Sequence, residues 1–236
     1  RRQRQMCIRD RCGAIFNLVT EKDMIEQTSE ALADGKAVGW FQGRMEFGPR
    51  SLGGRSILGD PRSEKMQKIL NLKVKYRESF RPFAPSVLKE DITDWFELDY
   101  DSPYMLLVCD VRKDKRIEMT KEEESLFGID KLNIKRSSIP AVTHVDYSAR
   151  IQTVHKETNP IYHALITKFK EKTGISVVVN TSFNVRGEPI VCSPQDAFRC
   201  FMGTELDLLI IGNCVLRKGQ QNKLLTEDYK GKYELD

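Results

Sequence analysis

Arginine and glycine recur along one stretch of the chain in a pattern suited to holding an anion. Residues 43–62 carry four arginines, Arg44, Arg50, Arg55 and Arg62, among five glycines and two prolines. Glycine lets backbone N–H groups come close to a ligand, and the guanidinium fork matches phosphate or carboxylate oxygens two at a time. Two further segments share this character. Lys75, Arg77 and Arg81 lead into Pro82 and Pro85, and Asn180, Thr181 and Ser182 end an apolar run that opens into a polar loop reaching Arg186. Together they offer fixed positive charge with hydroxyl and amide groups, but no well-placed histidine or carboxylate pair. That inventory suits binding a polyanion and stabilising charge in a transition state better than general acid–base work. Neither a GxxxxGK[ST] loop nor a GxGxxG between strand and helix is present.

The elements that position these segments follow from periodicity. Thr20 with Asp23 opens a helix bearing Met24, Ile25, Thr28, Ala31 and Leu32, and Gly35 stops it. Residues 37–41 read as a buried strand running straight into the arginine and glycine loop. Ser63 is expected to cap a helix with Met66, Ile69, Leu70 and Leu72 inward. Residues 91–98 read as a short amphipathic helix, 104–111 as a buried strand, and 112–138 as a charged insertion or flap. Residues 141–145 and 151–154 read as two strands joined by a turn that holds Arg150. Asn159 and Pro160 open a helix closed by Gly174. Residues 175–179 form a strand, Ser193 and Pro194 begin another helix, and residues 206–211 and 215–216 supply the last strands. Strands joined both by hairpins and by helices predict a mixed α/β (α+β) domain, a twisted mixed sheet flanked by helices.

With 236 residues, 40% hydrophobic and 31% charged, the composition is that of an ordinary globular protein with a sizeable core. A net charge of +4 is too mild to argue for nucleic acid, but residues 44–81 hold ten basic and four acidic side chains, so the positive field is local. The six cysteines show no CxxC pair and the three histidines no ligand spacing, so no metal site is expected. Cys109, Cys192, Cys200 and Cys214 read as small buried hydrophobes, and His144 and His155 as ordinary strand residues. No apolar run is long enough to span a membrane, and no signal peptide is seen, so a cytoplasmic location is expected. The chain opens Arg1-Arg2-Gln3-Arg4 without methionine, which reads as a piece of something longer. Residues 1–19 then form a lead-in, 20–217 the domain and 218–236 a polar tail.

Three strings carry a family resemblance: Phe47-Gly48-Pro49-Arg50-Ser51-Leu52-Gly53-Gly54-Arg55-Ser56-Ile57-Leu58, Arg81-Pro82-Phe83-Ala84-Pro85, and Asn180-Thr181-Ser182-Phe183-Asn184 followed by Gly187-Glu188-Pro189-Ile190-Val191. In that order they resemble the C-terminal domain of the NodU/CmcH/TobZ-type O-carbamoyltransferases, over residues 31–216. The family loop usually reads Ala-Leu-Gly-Asn-Arg where this chain has Ser51-Leu52-Gly53-Gly54-Arg55. The resemblance implies a YrdC-like fold that makes carbamoyl-adenylate from carbamoyl phosphate and ATP, with Mg²⁺ accompanying the nucleotide. It implies a partner, a missing N-terminal Kae1-like domain that passes the carbamoyl group to a hydroxyl. On matching positions it implies that Lys75, Arg81 and Arg50 act on phosphate and carbamoyl oxygens. Arg50, Arg55, Arg150, Asn180, Thr181 and Ser182 then bind the adenylate.

The bland alternatives are structural: Arg55 and Arg62 as ion-pair partners, Lys75 as a solvated helix-end cation, Ser182 as a strand end, and Phe47, Phe80 and Phe183 as core. A rival reading is a basic RNA- or nucleotide-binding module of YrdC type without catalysis, which would spread its cations over a face with exposed aromatics. A third is a scaffold that docks the missing half, which predicts a large apolar patch and no nucleotide affinity.

Overall fold

Thr20 caps the first helix as its spacing predicts. Its hydroxyl accepts from Asp23 N at 3.1 Å, and α1 (Glu21–Ala33) follows with Met24, Thr28, Ala31 and Leu32 buried. The computed structural model describes residues 12–132 and 134–226. Asn159 likewise caps α6 (Pro160–Thr173), accepting from Tyr162 N at 3.3 Å, and Gly174 ends it at φ +78. The remaining helices are α2 (Met66–Ile69), α3 (Ile92–Trp95), α4 (Lys121–Glu124), α5 (Ile129–Leu132) and α7 (Pro194–Gly203), the last opened by a capping box between Ser193 and Asp196.

The expected mixed sheet is present. It has eight strands, β1 (Asn17–Leu18), β2 (Val38–Phe41), β3 (Arg55–Gly59), β4 (Ala84–Leu88), β7 (Gln152–Val154), β8 (Val177–Ser182), β9 (Leu208–Ile211) and β10 (Cys214–Arg217), in the order β1-β10-β9-β2-β3-β8-β4-β7. β2 pairs with β9 and β4 with β7 in parallel; the other pairs are antiparallel. β2, β3, β4 and β9 are buried along their whole length, as apolar strands covered on both faces should be. Leu165, Ile166 and Phe169 of α6 are buried with Met24 and Leu32 of α1 in the same core, and Lys172 Nζ donates to Glu26 at 2.6 Å across these two helices. This arrangement brings the C-terminal ends of β2 and β8 and the N-terminal ends of β3 and β4 to one edge of the domain, where the polar loops lie.

Several expectations need correction. The stretch read as one anion loop is half loop and half strand, because its second part, β3, is fully buried between β2 and β8. Ser63 does not cap α2 with its side chain; Lys65 stands at that position without one. α2 widens into a π turn (Leu70–Val74), and the extra residue rotates Asn71 inward and leaves Leu72 exposed. Only Ile92–Trp95 of the helix expected over 91–98 is α-helical, and Phe96 bridges Val111 instead. The run 104–111 is not a buried strand. Only β5 (Val108–Asp110) is extended, and it pairs with β6 (Ser148–Arg150) in a separate two-stranded sheet. Residues 140–142 form a 3-10 turn rather than a strand, so neither His144 nor His155 lies in one. Cys200 and Cys214 are buried, Cys109 is half-buried and Cys192 is exposed.

The boundaries of the domain also shift. Asn17–Leu18, expected in the lead-in, is the edge strand on β10, and residues 1–11 lie outside the described residues. Gln221, expected in the polar tail, is buried: its amide donates to Ile15 O at 2.8 Å and accepts from Ile15 N at 3.0 Å. Residues 227–236 lie outside the described residues.

Candidate functional site: a cationic edge of the sheet

The loop between β2 and β3 is organised by its one carboxylate. Glu46 Oε1 accepts from the backbone N–H groups of Leu52 at 2.6 Å, Gly54 at 2.7 Å and Arg55 at 3.3 Å, which folds the arginine-rich turn over a single anionic centre. Gly53 sits at φ +102 beneath Tyr162, where a Cβ would come within 2.3 Å of Tyr162 Cδ1, and its carbonyl accepts from Trp40 Nε1 at 2.9 Å. Only glycine fits there. Arg50 lies exposed on this turn and Phe47 projects fully into solvent.

Arg55 is turned the other way. It is buried, its guanidinium lies 3.4 Å from the centroid of Phe41, and it donates to Gln42 O and Gly54 O at 2.9 Å. Its terminal nitrogens are thus turned to the carbonyls of the loop it supports, a position that fits the structural alternative for Arg55. Arg62 pairs with Asp60 at 2.7 Å and donates to Ala33 O, matching its structural alternative.

Lys75, at the end of the π turn, is buried rather than solvated. Its Nζ donates to Ser182 O, to Ser182 Oγ at 3.1 Å, and to Asn184 O at 2.9 Å and Oδ1 at 2.8 Å. Burial, and then the nearby charge of Arg77, lowers its pKa to about 7. Around it the loop after β8 closes on itself. Arg186 N donates to Lys75 O at 3.1 Å, Asn184 Nδ2 to Glu188 O at 2.6 Å, and Val185 N to Glu188 Oε2 at 3.0 Å. Phe183 is wholly buried against Gly39. Thr181, half-buried, pairs with Ile57.

Arg81 lies half exposed at the rim, paired with Glu78 at 3.1 Å, and Glu78 also meets Arg186 at 3.3 Å. Arg77, part of the same cationic segment but given no role of its own, donates to Asn71 Oδ1 at 2.7 Å, and its pKa falls to about 10 through burial and then through Arg81. Arg150, on β6, is half-buried, its Nε makes no hydrogen bond, and Arg50 lies near enough to lower its proton affinity after burial has done so. Neither Arg50 nor Arg150 has a carboxylate partner among the described residues.

Asn180 ties the strands together beneath the loop. Its amide nitrogen donates to Ser51 O at 3.0 Å, Ser86 Oγ at 3.0 Å and Gln152 Oε1 at 2.8 Å. Above this network opens a cavity of about 480 Å³, lined among others by Gln42, Arg44, Gly53, Gln152, His155 and Asn159. Arg44 of the arginine-rich stretch lines it, but none of the residues to which the resemblance gives a role does. The structure thus joins Lys75 to Ser182 and Asn180 to the loop at Ser51, and leaves Arg50 within electrostatic reach of Arg150. It adds Glu46, Arg77, Gln152, Asn184 and Glu188. Of these, Asn184 stood in the quoted motif beside Ser182, and Glu46 was the lone acid within the arginine loop. Among the described residues no group of three or more His, Cys, Asp or Glu side chains has the make-up of a metal site, and no helix is long and apolar enough to cross a membrane.

A mixed α/β domain with arginines gathered at one end of its sheet is a broad class, and comparison narrows it. Residues 29–218 match the family described as carbamoyltransferase C-terminus, and the chain belongs to that family. It is 44% identical over 199 residues to nodulation protein NolNO of Sinorhizobium fredii, covering 83% of this chain and 26% of that protein. It is 36% identical over 190 residues to the 3'-hydroxymethylcephem-O-carbamoyltransferase of Streptomyces clavuligerus, covering 80% of this chain and 32% of that enzyme. In fold it resembles full-length HypF, solved in a phosphate- and nucleotide-bound form, with a TM-score of 0.51 and 16% identity over 82% of this chain and 25% of that one. The chain spans about a third or less of the length of these relatives.

Proposed function

We propose that this chain is the part of an O-carbamoyltransferase that activates the carbamoyl group as carbamoyl-adenylate, for transfer to a hydroxyl by a further domain of Kae1-like type. The observation that carries the reading is Arg150, half-buried with its Nε making no hydrogen bond and within electrostatic reach of exposed Arg50, neither with a carboxylate partner among the described residues. Like charges left uncompensated at a surface are stabilised by an anion, and phosphate and carboxylate oxygens both match the guanidinium fork.

In the first step water cleaves carbamoyl phosphate into carbamate and inorganic phosphate. The carbamate oxygen then attacks the α-phosphorus of ATP, forming a new P–O bond as the α–β bond breaks and pyrophosphate leaves with the electron pair. Carbamate is already an anion, so this attack needs no side-chain base; it needs alignment and charge neutralisation. Arg50 and Arg150 supply charge to the phosphates, while Lys75 holds the Ser182–Asn184 turn in place to meet the adenylate. Mg²⁺ would be held mainly by the nucleotide's own phosphates, since among the described residues no cluster of three or more His, Cys, Asp or Glu side chains is present, and no step is assigned to it.

The test is release of AMP and pyrophosphate from ATP, with and without carbamoyl phosphate, by the wild-type protein and by Arg150→Ala. Release that requires carbamoyl phosphate and is lost in the variant supports the reading. Release independent of carbamoyl phosphate, or none in the wild type, overturns it.

A further inference from the structure

The run 104–108 is apolar yet turned outward: Tyr104 is 67% exposed, Leu106 71% and Val108 60%. It is not a loose loop. Ser102 Oγ donates to Ile151 O at 2.8 Å, Thr153 N to Ser102 O at 3.0 Å, and Ile151 N to Leu107 O at 3.0 Å, which fastens the segment along β7 and the residues before it. Between the two most exposed side chains, Met105 is buried in a left-handed conformation at φ +56. A branch-free but bulky residue is costly there, and the conformation persists only where the surroundings impose it. Its effect is to sink Met105 as an anchor and to hold Tyr104 and Leu106 out. β5 continues the run as one edge of a two-stranded sheet, with no strand on its other side among the described residues. The far side of β5 is partly taken, since Glu97 N donates to Asp110 O at 2.8 Å, so what stays open to water is the apolar run 104–108, and an exposed patch of that kind marks a surface that something covers.

We propose that Tyr104, Leu106 and Val108 form the surface on which the remaining, longer part of the carbamoyltransferase docks through an apolar face of its own. This occupant is favoured over a second copy because the chain covers only 26% and 32% of the length of the relatives compared, which leaves the larger part of such a protein to be seated. Tyr104 and Pro103 also line the cavity beside Gly53 and His155, so a partner seated on this surface covers the mouth of that cavity. The inference rests on the two-domain part of the proposed function, and its test reads contact separately from chemistry.

In the full-length protein, p-benzoylphenylalanine is placed at position 106 and, as a control, at the exposed position 224, and photolysed products are mapped by mass spectrometry. Cross-links from position 106 at monomer mass, to peptides outside residues 1–236, are expected. Cross-links at doubled mass only, or none above the control, overturn the proposal. In the same protein, Leu106→Asp is expected to cut hydroxyl carbamoylation about tenfold, the loss of roughly one well-buried apolar contact, while AMP release changes less than about twofold. An equal fall in both rates would also overturn it. Cross-linking in a wild-type protein that forms no AMP would sustain the docking surface while removing the activity.

Discussion

Arg50 and Arg150 repel each other: burial first, and then the Arg50 charge, lowers the affinity of Arg150 for its proton. A folded protein gains nothing from such a pair until an anion arrives. Arg150→Ala is therefore expected to weaken carbamoyl phosphate or ATP binding by roughly tenfold to a hundredfold, the worth of a charge-assisted contact. It should cost less than about 0.5 kcal/mol of stability in the free protein. Calorimetric titration and thermal unfolding of the two proteins measure both, and unchanged affinity would count against the anion site.

Lys75 makes stability depend on pH. Its pKa is about 7 in the fold against the usual 10.5, so between these values the unfolded chain binds more protons than the folded one. Stability should rise from pH 7 toward pH 10, by at most about 1.4 kcal/mol per unit from this group. It falls again as pH drops through that window. Lys218, lowered to about 8 by burial, contributes in the same direction. Urea midpoints at pH 7.5 and 9.5 should differ less in Lys75→Met than in the wild type; an identical rise would assign the effect elsewhere.

Glu46 is expected to matter for order more than for charge. Glu46→Ala strands three backbone donors and should cost about 2 kcal/mol, whereas Glu46→Gln retains an acceptor and should cost about half of that. Hydrogen exchange at Leu52 and Gly54 should quicken in the alanine variant, and protection that stays at the wild-type level would contradict the role given to Glu46.

At Gly53 the objection to a side chain is steric. Gly53→Ala places a Cβ against the Tyr162 ring at a φ of +102, and should lower stability by on the order of 3 kcal/mol. Thermal denaturation reads this directly, and a loss under about 1 kcal/mol would mean that the ring can move aside.

Local chemistry made some of this legible in the sequence. Thr20, Asn159 and Ser193 announce their helices because capping is decided within four residues, and Gly174 announces an end for the same reason. What was hidden depends on distant partners. Arg50 and Arg55 occupy the same motif, and only the arrival of Phe41 and the Gln42 carbonyl makes the second structural. The π turn at Leu70 adds one residue to a helical pattern, which periodicity alone reads as continuing. The run 104–111 looked like core because apolar composition does not distinguish a surface meant for water exclusion inside a domain from one meant for exclusion between domains. Glu46 was obscure because a carboxylate among arginines looks like their counterion, whereas its partners are backbone amides.

Gln221 and Ile15 clasp each other at the edge opposite β7, where β1 lies on β10. Chain enters and leaves the domain side by side, so a short peptide joining these two segments should leave the sheet undisturbed while new termini are opened elsewhere, for instance in the exposed stretch around Ser125. Mechanically, a pull applied at these two segments strains this clasp and the two-residue pairing of β1 before it reaches the buried strands, which leaves the cationic edge insulated from it.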